Sequence, residues 1–334
     1  FYRAARQIQP HVAVDCHEFT RDNEDFRKAG LERWPLITLD GMNHPLIPRT
    51  LRNLALAKVE SAIPLLNSAG FPFAPYRVGG PPPEEETRPS TLEPDDGRNS
   101  LGTLGAVSFI IEAAIRRSAP DPQADLGLRV AAHLKLFDHL LGTPSSRAQI
   151  RTAVEQARRE PLPAFIPTNM FWGNVQGKVS TLKVNDLAGG KVVTLPTANE
   201  MSDLVVKASV PTPKAYVIDG RVAATFRSLL EHHGLIFREL ANAEKIKTER
   251  CRLVRLEASY DELYQRYENR QIVARVPARE ADFSAGSLVV SLDQPLARRA
   301  IQVLEPCLLY GLYSHPEFRA LTLSDGTLPV HRLP

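Results

Sequence analysis

Val12-Ala13-Val14-Asp15-Cys16-His17-Glu18-Phe19 opens as an apolar run and closes on ionisable side chains. A second segment, Asn99-Ser100-Leu101-Gly102-Thr103-Leu104-Gly105-Ala106-Val107-Ser108-Phe109-Ile110-Ile111-Glu112-Ala113, repeats the design and closes on Glu112. Short apolar runs of Val, Ile and Phe bounded by turn residues predict buried strands. Residues 11–16 and 106–111 are therefore expected as strands that deliver His17 and Glu112 to their C-terminal ends. Ends of this kind are where α/β folds build their sites. Histidine is the commonest metal ligand, and a glutamate beside a metal serves as base for water.

Helical spacing is clearest between these strands and after them. Pro48 opens a predicted helix over 48–69, in which Leu51, Leu54, Ala55, Val59, Ala62, Ile63 and Leu66 recur on one face before Gly70. Asp121 to Leu141 reads as a helix started by Pro120-Asp121 and stopped by Gly142, and Ser145 to Arg159 as another. Residues 72–100 hold the run Pro81-Pro82-Pro83-Glu84-Glu85-Glu86 and read as an exposed loop. Pro161-Leu162-Pro163 marks a boundary.

Beyond that boundary the pattern changes. Residues 175–210 alternate as short strands around Gly189-Gly190. Strand 215–218, helix 220–233 and strand 236–240 suggest a βαβ-like unit. Further strands are expected at 251–257, 272–276 and 287–292, with a helix near 295–305. Two domains are predicted: 1–160, an α/β sheet with flanking helices, and 161–334, a smaller α+β region.

Composition sets outer bounds. The chain has 334 residues, 43% of them hydrophobic and 24% charged, as in an ordinary globular protein. A net charge of +3 without a long Lys/Arg run gives no nucleic-acid signature. Cys16, Cys251 and Cys307 form no Cys-x-x-Cys and no disulfide framework. No apolar stretch reaches the ~18 residues of a transmembrane helix.

The two segments resemble the zinc carboxypeptidase (carboxypeptidase A-like) family, in a bacterial branch with C-terminal extensions. In that family an early His-x-x-Glu gives two zinc ligands, and a later Val-Asp-x-His-Glu strand gives the third, where His17 stands. A strand after an Asn-x-x-Gly-Leu-like turn ends in the catalytic glutamate; here the turn is Arg98-Asn99-Ser100-Leu101-Gly102 and the glutamate Glu112. Gly41-Met42-Asn43-His44-Pro45-Leu46-Ile47-Pro48 is similar to the family's Asn-Pro-Asn-x-Pro lead into a helix.

The resemblance implies a carboxypeptidase-like mixed sheet, a zinc cofactor, a peptide substrate and hydrolysis of C-terminal peptide bonds. Glu112 would be the general base, His17 a metal ligand, and Tyr76 and Arg98 substrate-binding residues. Asp15, two residues before His17 on the same strand face, would orient the imidazole. Many relatives are exported, which makes an exported protein one expectation.

One element of the family pattern is lacking. None of the nine histidines has Glu three residues later. The chain begins at Phe1, inside an amphipathic segment that reads as the end of a helix. The expectation is therefore an N-terminally truncated catalytic domain whose upstream part carried two zinc ligands. Taken singly, His17 and Glu112 could be structural strand residues; His133, His139 and His232-His233 read as structural, and Glu18 as solvated or hydrogen-bonded. The competing functions are a degenerate carboxypeptidase-like binding protein and an amidohydrolase of the same fold acting on N-acyl amino acids or cell-wall peptides.

Overall fold

A computed structural model describes residues 2–83, 86–93, 96–117, 119–174, 179–198, 200–261 and 266–334. Phe1 and the Glu84-Glu85 pair of the acidic run lie outside the described residues. The chain is mixed α/β with several separate sheets. It divides into two compact units, one of residues 11–159 and 171–205, the other of 1–10, 160–170 and 206–334.

The first unit is organised by a four-stranded sheet of β1 (Val12–Thr20), β3 (Ile37–Gly41), β4 (Phe73–Pro75) and β5 (Val107–Ile115); the short β2 (Leu31–Arg33) belongs to another sheet. Spatial order is β1-β5-β3-β4, with β1 parallel to β5, β3 antiparallel to β5 and β4 parallel to β3. Side chains alternate between faces along a strand. Val107, Phe109 and Ile111 of β5 and Ile37 and Leu39 of β3 therefore share one face, and all are buried in the core. Helix Arg49–Ser68 covers that face with Leu51, Ala55, Val59, Ala62 and Leu66, the spacing that makes one helical stripe. Gly41 is required at the end of β3: a Cβ there would lie 2.5 Å from Ala55 Cβ.

Two capped helices complete the cover. Asp121 accepts from the N–H groups of Gln123 and Ala124 and starts helix Pro122–Phe137. That helix ends in a π turn, Asp138–Gly142, which together span the predicted 121–141. Thr143 accepts from Ser146 N–H and starts Pro144–Ala157.

Three expectations change. The strand expected at 11–16 runs from Val12 to Thr20, and it is not buried: Asp15, Cys16, His17 and Glu18 are exposed. As the edge strand, β1 pairs only with β5, and only Val12 and Val14 pack on the core. The strand expected at 106–111 continues through Glu112 to Ile115, so neither His17 nor Glu112 ends its strand. The turn at 98–102 is a short helix, Gly97–Thr103, capped by Asp96, and it is buried rather than part of an exposed loop. Fully buried Asn99 accepts from the N–H groups of Asn43 and His44 at 3.0 and 3.2 Å, tying the two motif-like segments together.

A smaller antiparallel sheet joins β2 to strands Thr181–Asp186 and Lys191–Pro196, over a core of Phe26, Leu31 and Val184. This pairing crosses the division expected at 160/161.

The second unit holds a six-stranded sheet. The segments expected at 251–257 and 272–276 are parts of two 18-residue strands, Glu244–Asp261 and Arg266–Phe283, paired antiparallel. The expected βαβ unit is modified. Strands Ala215–Ile218 and Arg238–Glu239 flank helix Ala223–His233, but both pair antiparallel with Leu288–Ser291, which lies between them. Among the described residues no helix is long and apolar enough to cross a membrane.

Candidate active site

The three long helices, Arg49–Ser68, Pro122–Phe137 and Pro144–Ala157, pack on one face of the four-stranded sheet, and the candidate site lies on the other. His17 and Glu112 are register partners across β1 and β5, and Thr38 of β3 is the partner of Glu112 on its other side. Register partners point to the same face, so Asp15, His17, Glu112 and Thr38 stand together. Asp15 Oδ1 lies 3.0 Å from His17 Nε2, with both side chains half exposed. The orienting contact expected from the Asp-x-His spacing is thus formed.

Glu112 is half-buried, and its carboxylate makes no hydrogen bond or ion pair among the described residues. Burial raises its pKa above the ordinary 4.5, opposed by His17 and Arg33 and reinforced by Asp15. It opens on a cavity of ≈ 290 Å³ within the first unit. Phe19, Phe26, Trp34 and Phe73 supply aromatic walls, while Arg33, Thr38, Tyr76 and Arg77 supply polar groups. Tyr76 is pushed up to about 12, by burial first and the nearby Glu112 second, so its hydroxyl is a proton donor near neutrality.

The spacing of motif residues did not point to Arg33. It ends β2, and its guanidinium lies over the rings of Phe26 and Phe19, at 4.9 and 5.6 Å from their centroids. It donates to the carbonyl of Gly79 at 3.1 Å, and its Nε is buried without a partner. Burial lowers its pKa, against the pull of Tyr76 and Glu112. The only local hint is a charged residue beside Trp34-Pro35 at the start of an apolar strand.

Arg98 is employed elsewhere. It is 1% exposed, donates to Thr91 O at 2.9 Å and to Ser90 Oγ, and lies 3.6 Å from Asp40 and 3.5 Å from Asp96. Those contacts hold the segment before β5, and Arg98 does not line the cavity. The structure therefore unites His17 with Glu112, and Glu112 with Tyr76, and gives Arg98 a place in the scaffold. Glu18 pairs with Arg129. His133 Nδ1 lies 3.0 Å from Arg129 O, and His139 Nε2 3.1 Å from both Ser61 Oγ and Lys58 O.

Among the described residues no group of three or more His, Cys, Asp or Glu is arranged to hold a metal ion. Compared with known protein families, curated proteins and solved structures, the chain matches none.

Proposed function

We propose that this chain carries the base and one metal-binding histidine of a hydrolytic site of the zinc carboxypeptidase type, with substrate lying in the cavity beside Glu112. The observation that supports this reading is the register pairing of His17 with Glu112 on the sheet face opposite the three long helices. Glu112 takes a proton from water and passes it to the leaving amine, and its raised pKa brings it closer to the range where a base works best. Asp15 holds His17 Nε2 and leaves Nδ1 as the nitrogen for a metal. Tyr76 donates its proton toward the oxygen where charge develops.

Zinc, when bound, would polarise a carbonyl and acidify water. The donors present do not make a complete zinc site. Such a site takes about three protein ligands, and His17 is the one imidazole here, with Asp15 committed to it. In this reading the other ligands are a His-x-x-Glu pair that none of these 334 residues supplies. An amidohydrolase on the same scaffold would use the same base.

A second reading is a carboxypeptidase-like binding protein. It is favoured by the contrast between a formed cavity and an incomplete donor set. Zinc content and C-terminal trimming of the natural gene product, as wild type and as Glu112→Gln, separate the two. One zinc per chain, with trimming lost and zinc kept in the variant, supports the hydrolase. A zinc-free, inactive wild-type protein overturns it and leaves the binding protein.

A further inference from the structure

Cys251 and Cys307 are 56 residues apart in the chain, a spacing that marks no pair, yet the second unit brings their Sγ atoms to 3.7 Å. Both are held by the frame of that unit. Cys251 lies on the long strand Glu244–Asp261, where it faces Arg275 of the neighbouring strand, and its carbonyl accepts from Leu328 N–H at 2.8 Å. Cys307 follows helix Ala297–Leu304. Its N–H donates to Glu305 Oε1 at 3.1 Å, and Gln271 Nε2 donates to the carbonyl of Pro306 at 2.6 Å. Glu305 is itself fully buried and fixed, by the Tyr216 hydroxyl at 2.9 Å and Arg332 Nε at 3.1 Å. Two thiols held in contact from both sides need only a small approach to bond, because folding has already closed the loop between them.

We propose that Cys251 and Cys307 form a modification site, a dithiol that a small-molecule disulfide of the glutathione type oxidises to one intrachain bridge within the second unit. The two sulfurs differ in access, and this sets the order of events. Cys307 is part exposed, whereas Cys251 is 0% exposed. The Cys307 thiolate attacks one sulfur of the small disulfide. That S–S bond breaks, a mixed disulfide forms at Cys307, and one small thiolate leaves. Cys251 then gives its proton to water, its thiolate attacks Cys307 Sγ, and the second small thiolate leaves. Two protein thiols and one small disulfide thus become one protein disulfide and two small thiols. The protein gives up two electrons, and its two protons end on the departing thiolates. The hydrogen bond with Cys251 first, then burial, then the nearby Cys251 and Glu305 raise the pKa of the Cys307 thiol, against the pull of Arg332. Thiolate is scarce near neutrality, so the exchange is slow, as befits a structural bridge rather than a rapid sensor.

The bridge closes a loop of chain that holds strand Leu288–Ser291, helix Ala297–Leu304 and the long strand Arg266–Phe283. Restricting the unfolded chain over so long a loop raises the melting temperature of a unit of this size by about 5 °C or more. The experiment uses the intact chain, reduced, freed of reductant and held with excess oxidised glutathione. Remaining thiols are then blocked with N-ethylmaleimide in denaturant and the chain is weighed. Cys16, exposed and in the first unit, is changed to serine (Cys16→Ser) so that it adds nothing to the mass. The expected product is lighter by two hydrogens, carries no blocked thiol and yields one cross-linked peptide joining Cys251 to Cys307. Its melting temperature falls by about 5 °C or more when dithiothreitol is added. Folded Cys251→Ser stops at one glutathione on Cys307, the intermediate of the exchange. Folded Cys307→Ser keeps Cys251 as a free thiol, because that sulfur is buried.

Two blocked thiols after treatment of the folded chain overturn the proposal and leave the contact as core packing. Glutathione retained on Cys307 without a bridge overturns it too, as does a bridge that forms only in denaturant. A bridge that leaves the melting temperature unchanged overturns its stabilising role. The mass measurement needs no substitution at Cys251 or Cys307, so it decides the matter even where a variant fails to fold.

Discussion

His17 and Glu112 are register partners on parallel strands, on the sheet face opposite the three long helices. Neighbouring strands run about 4.8 Å apart, so the two side chains leave the sheet side by side. Each explains something about the other. His17 draws the pKa of Glu112 down, Asp15 beside His17 pushes it up, and burial outweighs both. A carboxylate placed in this way is available as a base and is also a source of instability.

Glu112→Gln should therefore stabilise the fold while disabling the proposed chemistry. The native pKa of Glu112 lies above the ordinary value of 4.5, so between those two values the native state holds a proton that the unfolded chain releases. Its contribution is fully present below about 4.5 and is lost as pH rises through the raised native pKa. The variant should melt higher than wild type at pH 7, with the gap closing toward pH 4. In the zinc-loaded natural gene product, kcat should fall about 10²-fold or more, the usual worth of a general base. A gap that widens toward acid contradicts the sign.

The 334-residue chain should hold zinc weakly, since one imidazole cannot fix the ion. His17→Ala should remove the weak binding, and Asp15→Asn should weaken it about tenfold by releasing the ring. The same Asp15→Asn change should move stability by no more than about 1 kcal/mol, because the pair is half exposed. Competition against a chromophoric chelator reads the affinities. Tight one-to-one binding by this chain would show that further ligands are not needed.

Arg98 supplies a contrast. Its guanidinium is buried among Ser90, Thr91, Asp40 and Asp96, so Arg98→Ala should cost about 3 kcal/mol or more by leaving carboxylates without their cation. Urea unfolding measures this. An Ala variant of unchanged stability would remove Arg98 from the scaffold and return it to the substrate-binding role that the motif suggested.

The parts legible in the sequence were those with local causes. Helix starts at Pro48 and Asp121 follow from caps and fixed proline geometry, and the core face of β5 follows from Val107, Phe109 and Ile111; the helix expected from Ser145 begins at Pro144, after the Thr143 cap. The exposure of β1 was not legible, because an apolar alternation does not say which strand has a neighbour on only one side. Arg33 was not legible for a related reason. It reaches the cavity because β2 pairs with Thr181–Asp186, where Arg33 faces Val184, and pairing so far along the chain leaves no mark at residue 33. The Asp15–His17 contact was legible, since both partners share one strand and one face.

His44 should govern part of the acid response. Its imidazole is fully buried, and Nδ1 accepts from the N–H of Leu46 at 3.1 Å. Burial first, and Arg52 second, lower its pKa to about 3. The unfolded chain takes up a proton near the ordinary 6.5, so between those values it binds a proton that the native state excludes. Stability present above about pH 6.5 is thus lost as pH falls toward 3, at up to about 1.4 kcal/mol per pH unit for this one group. His233, lowered to about 3, and His331, lowered to about 4, act with the same sign in the other unit. Asn can keep the acceptor for Leu46 without titrating. His44→Asn should therefore flatten the fall of the urea midpoint of the first unit between pH 6 and 4 by about one proton's worth. An unchanged slope would mean that native His44 takes up its proton as readily as the unfolded chain, and that the carboxylates alone carry the acid response of that unit.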